Sequence, residues 1–407
     1  MTRIWEQDAL AGVTFPNGFA AGAARCGLKS EGDDVAVIAA ETPVAVAGVF
    51  TTNRVQASCV GHSRRVARSG AARAIVCNAG NANACNGELG ERDTLRMAEA
   101  AAGLLGAEPG QVLVASTGVI GHPMPIERAE AGIGAAAAAL ARGSGTDMRV
   151  ARAIMTTDTR PKLIAVECET QHWPGPLRLA GVCKGSGMIA PNMATMLCFL
   201  TCDARIAAPQ LQEALAVAVA RTLNRVTVDG DTSTNDMALL MASGRGPCHI
   251  DGRGPAFDAF AEALERVCRY LAREVARDGE GATHLVEVLV RGAASEAEAE
   301  RVARTVADSP LVKTALFGRD PNWGRILAAA GRAGVAFDPA TAEVSLGDIT
   351  VYAGGRGTPF DRDAAHDYLT GGEVRVVLDL HRGTQEAILW TCDFSYDYVR
   401  INAEYHT

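Results

Sequence analysis

Apolar residues come in short runs along the first half of the chain. "VAVIAA" from Val35, "VAVAGVF" from Val44 and "ARAIVCNAG" from Ala72 read as strands. "DTLRMAEAAAGLLG" from Asp93 has helical spacing and closes on a glycine. "QVLVASTGVIG" from Gln111 is a strand running into a turn. "PIERAEAGIGAAAAALARG" from Pro125 is an alanine-rich helix with proline near its start. This alternation of strands and helices predicts α/β organisation.

The second half carries two long helical patterns, from Pro209 and from Pro255. "HLVEVLVRG" from His284 predicts a strand, and "SEAEAERVARTVADSP" from Ser295 a serine-capped helix. "LVKTALFG" from Leu311 predicts another strand, as do "AEVSLGDITVY", "EVRVVLDLHRG" and "EAILWTCDFSYDYVRIN" towards the C-terminus. "HWPGP" from His172 is a local turn. No internal repeat or long linker is visible.

Between the halves lies "KGSGMIAPNMATMLCFLTCDA", Lys184 to Ala204. It begins as a polar glycine loop and ends as an almost unbroken apolar run, which predicts a buried strand. Thr195 sits at the seam, just after the small Ala194. A structural threonine at a strand entrance is the ordinary reading. A chemical reading stands beside it. An unassisted hydroxyl is a poor nucleophile, but a cut just before Thr195 would free an α-amine to act as its base. Such an amine has a pKa of about 7.7–8.0, close to neutral operating pH. Ala194 leaves space at the scissile carbonyl, Gly185 and Gly187 permit a tight loop, and Pro191 stiffens it. A third reading takes Gly185 to Ala190 as a dinucleotide-binding fingerprint following the strand "LRLAGVC". Pro191, Asn192 and the strand-like run after them argue against it, because the fingerprint opens a helix.

The chain has 407 residues, which predicts two domains or one large α/β unit. A net charge of −8 argues against nucleic-acid binding. The start "MTRIWEQDALAGVTFPNG" shows no signal-peptide core, and no apolar run reaches the ~18 residues of a membrane span. A cytoplasmic protein is expected. Eleven cysteines include no Cys-x-x-Cys pair and read as reduced, mostly buried thiols. Eight histidines are scattered, so no metal site is expected.

"KGSGMIAPNMATML" resembles the cleavage segment of the ornithine acetyltransferases, also called glutamate N-acetyltransferases. "CNAGNANACNG" from Cys77, "ASTGVIG" from Ala115, "MTTDTRPK" from Met155 and "VDGDTSTND" from Val228 resemble further family segments. So do "ARDGEGATH" from Ala276, "GRDPNWGRI" from Gly318 and the terminal "VRINAEYHT". The resemblance spans nearly the whole chain in order. It implies a layered α/β sandwich made of two interlocked fragments, 1–194 and 195–407. It implies self-cleavage between Ala194 and Thr195, with Thr195 as nucleophile. Mature Thr195 would take acetyl from N2-acetyl-L-ornithine and pass it to L-glutamate. That is a multifunctional acyltransferase of cyclic arginine biosynthesis, an amino-acid biosynthesis enzyme with autocatalytic cleavage and no cofactor. Some family members also acetylate glutamate from acetyl-CoA; others only recycle the acetyl group.

The same resemblance implies the site. Thr117 and Gly118 of "STG" form the oxyanion hole, and Lys184, Glu280, Asn402 and Thr407 bind substrate beside Thr195; "TTDT" offers Thr156, Thr157 and Thr159, of which the spacing to Lys184 favours Thr157. The asparagines of "CNAGNANACNG" satisfy tight-turn backbone, and Asn322 caps a helix through "WGRILAAAG". Trp323 and Arg325 belong with it to a cluster read as structural or subunit-contact, with active-site work as the alternative. His284 stands where family members often have lysine, which predicts altered local charge with Glu280 intact. The implied assembly is an α2β2 heterotetramer with small-molecule substrates. Two other classes remain open. A hydrolase would pass the same acyl group to water, and an uncut binding protein for acidic amino acids would bind glutamate without turnover.

Overall fold

A computed structural model describes residues 2–190 and 196–404. Pro191, Asn192, Ala194, Thr195 and Thr407, named above, lie outside the described residues. The first part of the chain supplies β1 (Arg3–Glu6), β2 (Phe19–Ala24), β3 (Val35–Phe50), β4 (Ala71–Asn81) and β5 (Val112–Val119). β6 (Lys162–Glu169), β7 (Leu177–Lys184) and β8 (Leu197–Cys202) follow. The helices among and after them are α1 (Ser58–Ser69), α2 (Gly87–Leu105), α3 (Ile126–Ala138) and α4 (Ser144–Ala153). The chain continues through β9 (Arg205–Ile206), α5 (Ala208–Arg221), β10 (Met237–Ala242), β11 (His249–Ile250) and α6 (Pro255–Arg277).

Nine of these strands build one sheet in the order β1-β6-β7-β8-β10-β3-β4-β5, with β2 added on β3, while β9 and β11 pair with each other apart from it. β8 runs antiparallel to β7 and parallel to β10. Leu197 and Phe199 of β8 enter a core shared with α1 to α4. Cys198, Leu200 and Cys202 enter the core on the other face, under α5 and α6. A strand covered on both faces favours apolar side chains at nearly every position, which explains the run after the seam; its one polar member, Thr201, donates its hydroxyl to the Val13 carbonyl at 2.9 Å.

The remainder forms a six-stranded sheet. Its strands are β12 (Leu285–Ala293), β13 (Glu343–Leu346), β14 (Ile349–Ala353), β15 (Arg356–Gly357), β16 (Glu373–Asp379) and β17 (Gln385–Cys392). It packs on α7 (Glu296–Ala307), α8 (Pro310–Phe317) and α9 (Trp323–Gly331) around a third core. Two further helices, α10 (Arg362–Tyr368) and α11 (Tyr396–Glu404), complete the chain. The α/β sandwich expected from the sequence is the observed architecture.

Four local readings need correction. The runs from Val35 and Val44 are one strand, β3, with a register shift between Ala39 and Val44. Ser144–Ala153 is a helix that the apolar pattern did not announce. "LVKTALFG" is the helix α8, not a strand: Pro310 opens it, and Val312, Ala315 and Leu316 bury one helical face. "EAILWTCDFSYDYVRIN" is a strand only to Cys392 and then becomes α11. The Ser395 hydroxyl accepts the Asp397 N–H at 3.2 Å at that helix start, and Phe394 stacks on Tyr398 at 4.6 Å. Serine capping and an aromatic pair four residues apart thus outweigh the strand preference of the aromatic residues. Elsewhere the local readings hold. Ser295 caps α7, and Asn322 caps α9 by accepting the Arg325 N–H at 3.1 Å.

Candidate active site

A cavity of about 280 Å³ opens beside the C-terminal end of β5. Thr117, Gly118, Thr157, Lys184, Glu280 and Asn402 all line it. The structure therefore brings together six residues scattered over nearly three hundred positions. Thr195 and Thr407 lie outside the described residues.

Thr117 and Gly118 lie just before Val119, the last residue of β5, where the strand runs parallel to β4. Gly118 holds φ +126°, and a Cβ there would sit 2.3 Å from the Gly80 carbonyl carbon. Only glycine permits this approach of the two backbones. The turn behind it is fixed by asparagines, as expected. Asn78 donates to the Asn81 carbonyl at 2.8 Å, and Asn83 donates to the Gly90 carbonyl at 2.9 Å.

Lys184 is the last residue of β7 and is buried. Its ammonium donates to Thr117 Oγ1 across 3.4 Å, a long contact. Glu280 is also buried. Its N–H donates to the Ser186 carbonyl at 2.9 Å, and its Oε2 accepts Asn402 Nδ2–H at 2.8 Å. Gly187 lies against that carboxyl group; a Cβ on it would stand 2.3 Å from Glu280 Cδ. Asn402 arrives on α11, so the C-terminal helix delivers a side chain to the cavity. The half-buried Thr157 sits in the turn before β6. These six residues bring an ammonium, a carboxylate, two hydroxyls and a carboxamide to the cavity, and Thr156, Ser233, Thr234 and Asn235 line it as well; the set suits a small molecule carrying both charges.

The chain after the seam is anchored at once. Met196 donates its N–H to Asp236 Oδ1 at 2.9 Å, and Asp236 immediately precedes β10. Burial pushes the Asp236 carboxyl well above the usual carboxylate range, against the pull of the Met196 N–H and Lys184. On the near side, Asp229 accepts the N–H groups of Met188 and Ile189 at 2.6 and 2.9 Å. Asn235 ties the same region to β5, donating to the carbonyls of Ala82 and Ser116 at 2.7 and 2.8 Å. Sequence reasoning quoted this segment, "VDGDTSTND", without singling out Asp229, Asn235 or Asp236. The available signal was a polar cluster placed directly before an apolar run.

Asn322, Trp323 and Arg325 do not line the cavity. Trp323 packs on the third core and stacks at a tilt on Tyr352, 5.0 Å between ring centres. His284 is buried rather than a surface charge. Its ring nitrogens meet Asp393 Oδ2 and the Leu369 carbonyl, both at 3.0 Å. Among the described residues no group of three or more His, Cys, Asp or Glu stands together as a metal site, and no helix is long and apolar enough to cross a membrane.

Residues 20–407 match the family model described as the ArgJ family. The arginine biosynthesis bifunctional protein ArgJ of Symbiobacterium thermophilum is 50% identical over 400 residues, covering 97% of this chain and 98% of its own length. Its namesake in Synechococcus sp. is 48% identical over 420 residues and covers 100% of both chains. Among solved structures, the ArgJ protein of Bacillus halodurans is 44% identical, covers 50% of this chain and 97% of its own, and gives a TM-score of 0.49.

Proposed function

The chain belongs to the ArgJ family, and on that premise we propose that it is an acyltransferase of arginine biosynthesis acting through Thr195. The observation that carries this reading is the meeting of Thr117, Gly118, Thr157, Lys184, Glu280 and Asn402 around one cavity, with Lys184 paired to Leu197 at the start of β8.

In this proposal the chain first cuts itself between Ala194 and Thr195, giving fragments 1–194 and 195–407. The Thr195 hydroxyl then attacks the acetyl carbonyl of N2-acetyl-L-ornithine, and its own α-amine takes the hydroxyl proton. The oxyanion that forms is met by the Gly118 N–H and the Thr117 hydroxyl. Because Thr117 Oγ1 already accepts from Lys184, its proton is free to point at the oxyanion. Collapse breaks the C–N bond, and the Thr195 ammonium returns the proton to the leaving ornithine amine. The acetyl-Thr195 ester is then attacked by the amine of L-glutamate, giving N-acetyl-L-glutamate and the free hydroxyl. Lys184 pairs with a substrate carboxylate and Glu280 with an ammonium; Thr157, Asn402 and Thr407 complete the binding. No cofactor enters these steps, and acetyl-CoA is an alternative donor to the same hydroxyl. The proposed setting is cytoplasmic, with the fragments paired as α2β2.

The test joins mass and activity. Intact mass under denaturing conditions should show two species, one beginning Thr-Met-Leu-Cys, and the protein should move acetyl from N-acetylornithine to glutamate. Thr195→Ala should leave one uncut chain without transfer. An uncut, fully active Thr195→Ala protein would sink the proposal, and release of free acetate in place of acetylglutamate would make the protein a hydrolase.

A further inference from the structure

Lys162 opens β6 with its side chain fully buried. Its ammonium lies 2.6 Å from Asp158 Oδ1 and 2.5 Å from Asp278 Oδ2. Two carboxylates on one buried cation leave a net negative cluster, and Lys184 adds a second cation nearby. Burial pushes the Asp158 carboxyl up, but Lys184 and Lys162 more than reverse this and hold it at about 2.

What the carboxylates hold besides Lys162 gives the cluster its meaning. Asp158 Oδ1 also accepts the Gly185 N–H at 2.7 Å, directly after Lys184. Asp158 Oδ2 accepts the Thr156 N–H at 3.1 Å, directly before Thr157. Asp278 accepts the Thr159 N–H at 3.1 Å and the Thr159 hydroxyl. The Asp278 carbonyl accepts the Ser186 hydroxyl at 2.6 Å, and the Ser186 carbonyl accepts the N–H of Glu280. Three separate segments that line the cavity are therefore pinned, within one or two residues of Thr157, Lys184 and Glu280, to carboxylates that share one ammonium.

We infer that Lys162 is a positioning residue for the substrate, fixing Thr157, Lys184 and Glu280 relative to one another through Asp158 and Asp278. The inference rests on the acetyl-transfer reading above. Lys162 and Asp158 lie before the seam and Asp278 after it, so the same cation joins the two proposed fragments across the cavity. A purely structural ion cluster is the competing account. Buried pairs are weak stabilisers on their own, and apolar replacements of similar volume are often tolerated. That account predicts altered melting with unaltered kinetics in the folded protein.

The experiment measures KM and kcat for N-acetylornithine and glutamate in the processed wild type and in Lys162→Met. Loosened binding groups raise KM while leaving kcat less affected. We expect KM for both substrates to rise at least ~10-fold, as for loss of a charge-assisted contact, with kcat within ~3-fold. A folded Lys162→Met protein with wild-type KM values overturns the inference. Should that variant not fold, Asp278→Ala decides, since it leaves Lys162 and Asp158 as a neutral one-to-one pair. A severalfold rise in KM supports positioning, and an unchanged KM overturns it. A wild type without acetyl transfer overturns the functional reading and the inference with it; an active wild type with unmoved variants overturns the inference alone.

Discussion

Gly118 does its work with no side chain. Its φ of +126° and its close approach to Gly80 leave no room for a Cβ, and it lines the cavity with backbone alone. If Gly118 is an oxyanion donor, Gly118→Ala keeps the N–H but forces it out of place through the clash of its Cβ with Gly80, and should lower acetyl transfer by up to ~10²–10³, the loss for one misplaced donor, as measured by kcat on N-acetylornithine. A variant within threefold of wild type would remove Gly118 from the oxyanion hole. His284 makes a prediction about pH. The Asp393 bond is the largest influence on its imidazole, and it lifts the pKa above the ordinary histidine value despite burial. A raised pKa means that the folded state holds the proton more tightly than the unfolded state. The stabilisation is therefore fully present below pH ~6.5 and is lost as pH rises through the folded value. Melting temperatures taken from pH 6 to 9 should fall in wild type and fall less in His284→Gln. At this scale the sequence marked His284 as a departure but could not show that Asp393, more than a hundred residues later, would meet it.

Among elements, legibility followed length and periodicity. The long helices α2, α5 and α6 repeat their apolar face over several turns, so their pattern carries its own proof. α8 and α11 have eight and nine residues, too few for the period to outweigh strand-favouring aromatics and β-branched residues. α11 matters most, because its helical form carries Asn402 to Glu280. Asn402 was legible only through family resemblance, since a polar chain end ordinarily frays. Asn402→Ala removes a hydrogen bond to a carboxylate of the kind worth ~1.5–3 kcal/mol. We expect KM to rise ~10-fold or more with α11 still folded; an unchanged KM would leave Asn402 only its bond within the helix, to the Tyr398 carbonyl at 3.0 Å. The Lys162 cluster escaped sequence reading for a related reason. Each member stands in a quoted motif, but only the fold shows that Asp158 and Asp278 share one cation.

In the whole molecule the seam runs through the middle of one sheet. β8, after the seam, lies between β7, before it, and β10. Both faces of β8 and β10 are buried in cores to which residues on either side of the seam contribute. The proposed fragments should therefore stay together after cleavage, eluting as one species in native size exclusion and as two bands in a denaturing gel. Fragment 195–407 expressed alone should aggregate, because β8 and β10 would present unpaired edges without β7 and β3. Recovery of that fragment as a folded monomer would show that the first sheet is less shared than its strand order implies.

The burial of Met196 also bears on how long the protein lasts. Proteases that read a new amino terminus must draw several residues into an extended channel. Here the chain is buried from Met196 onward, and from Leu197 it is a strand paired on both sides. A cut at the seam would create a terminus with almost no slack to offer. Maturation and degradation would then be uncoupled, and the cleaved enzyme would be as long-lived as an intact chain.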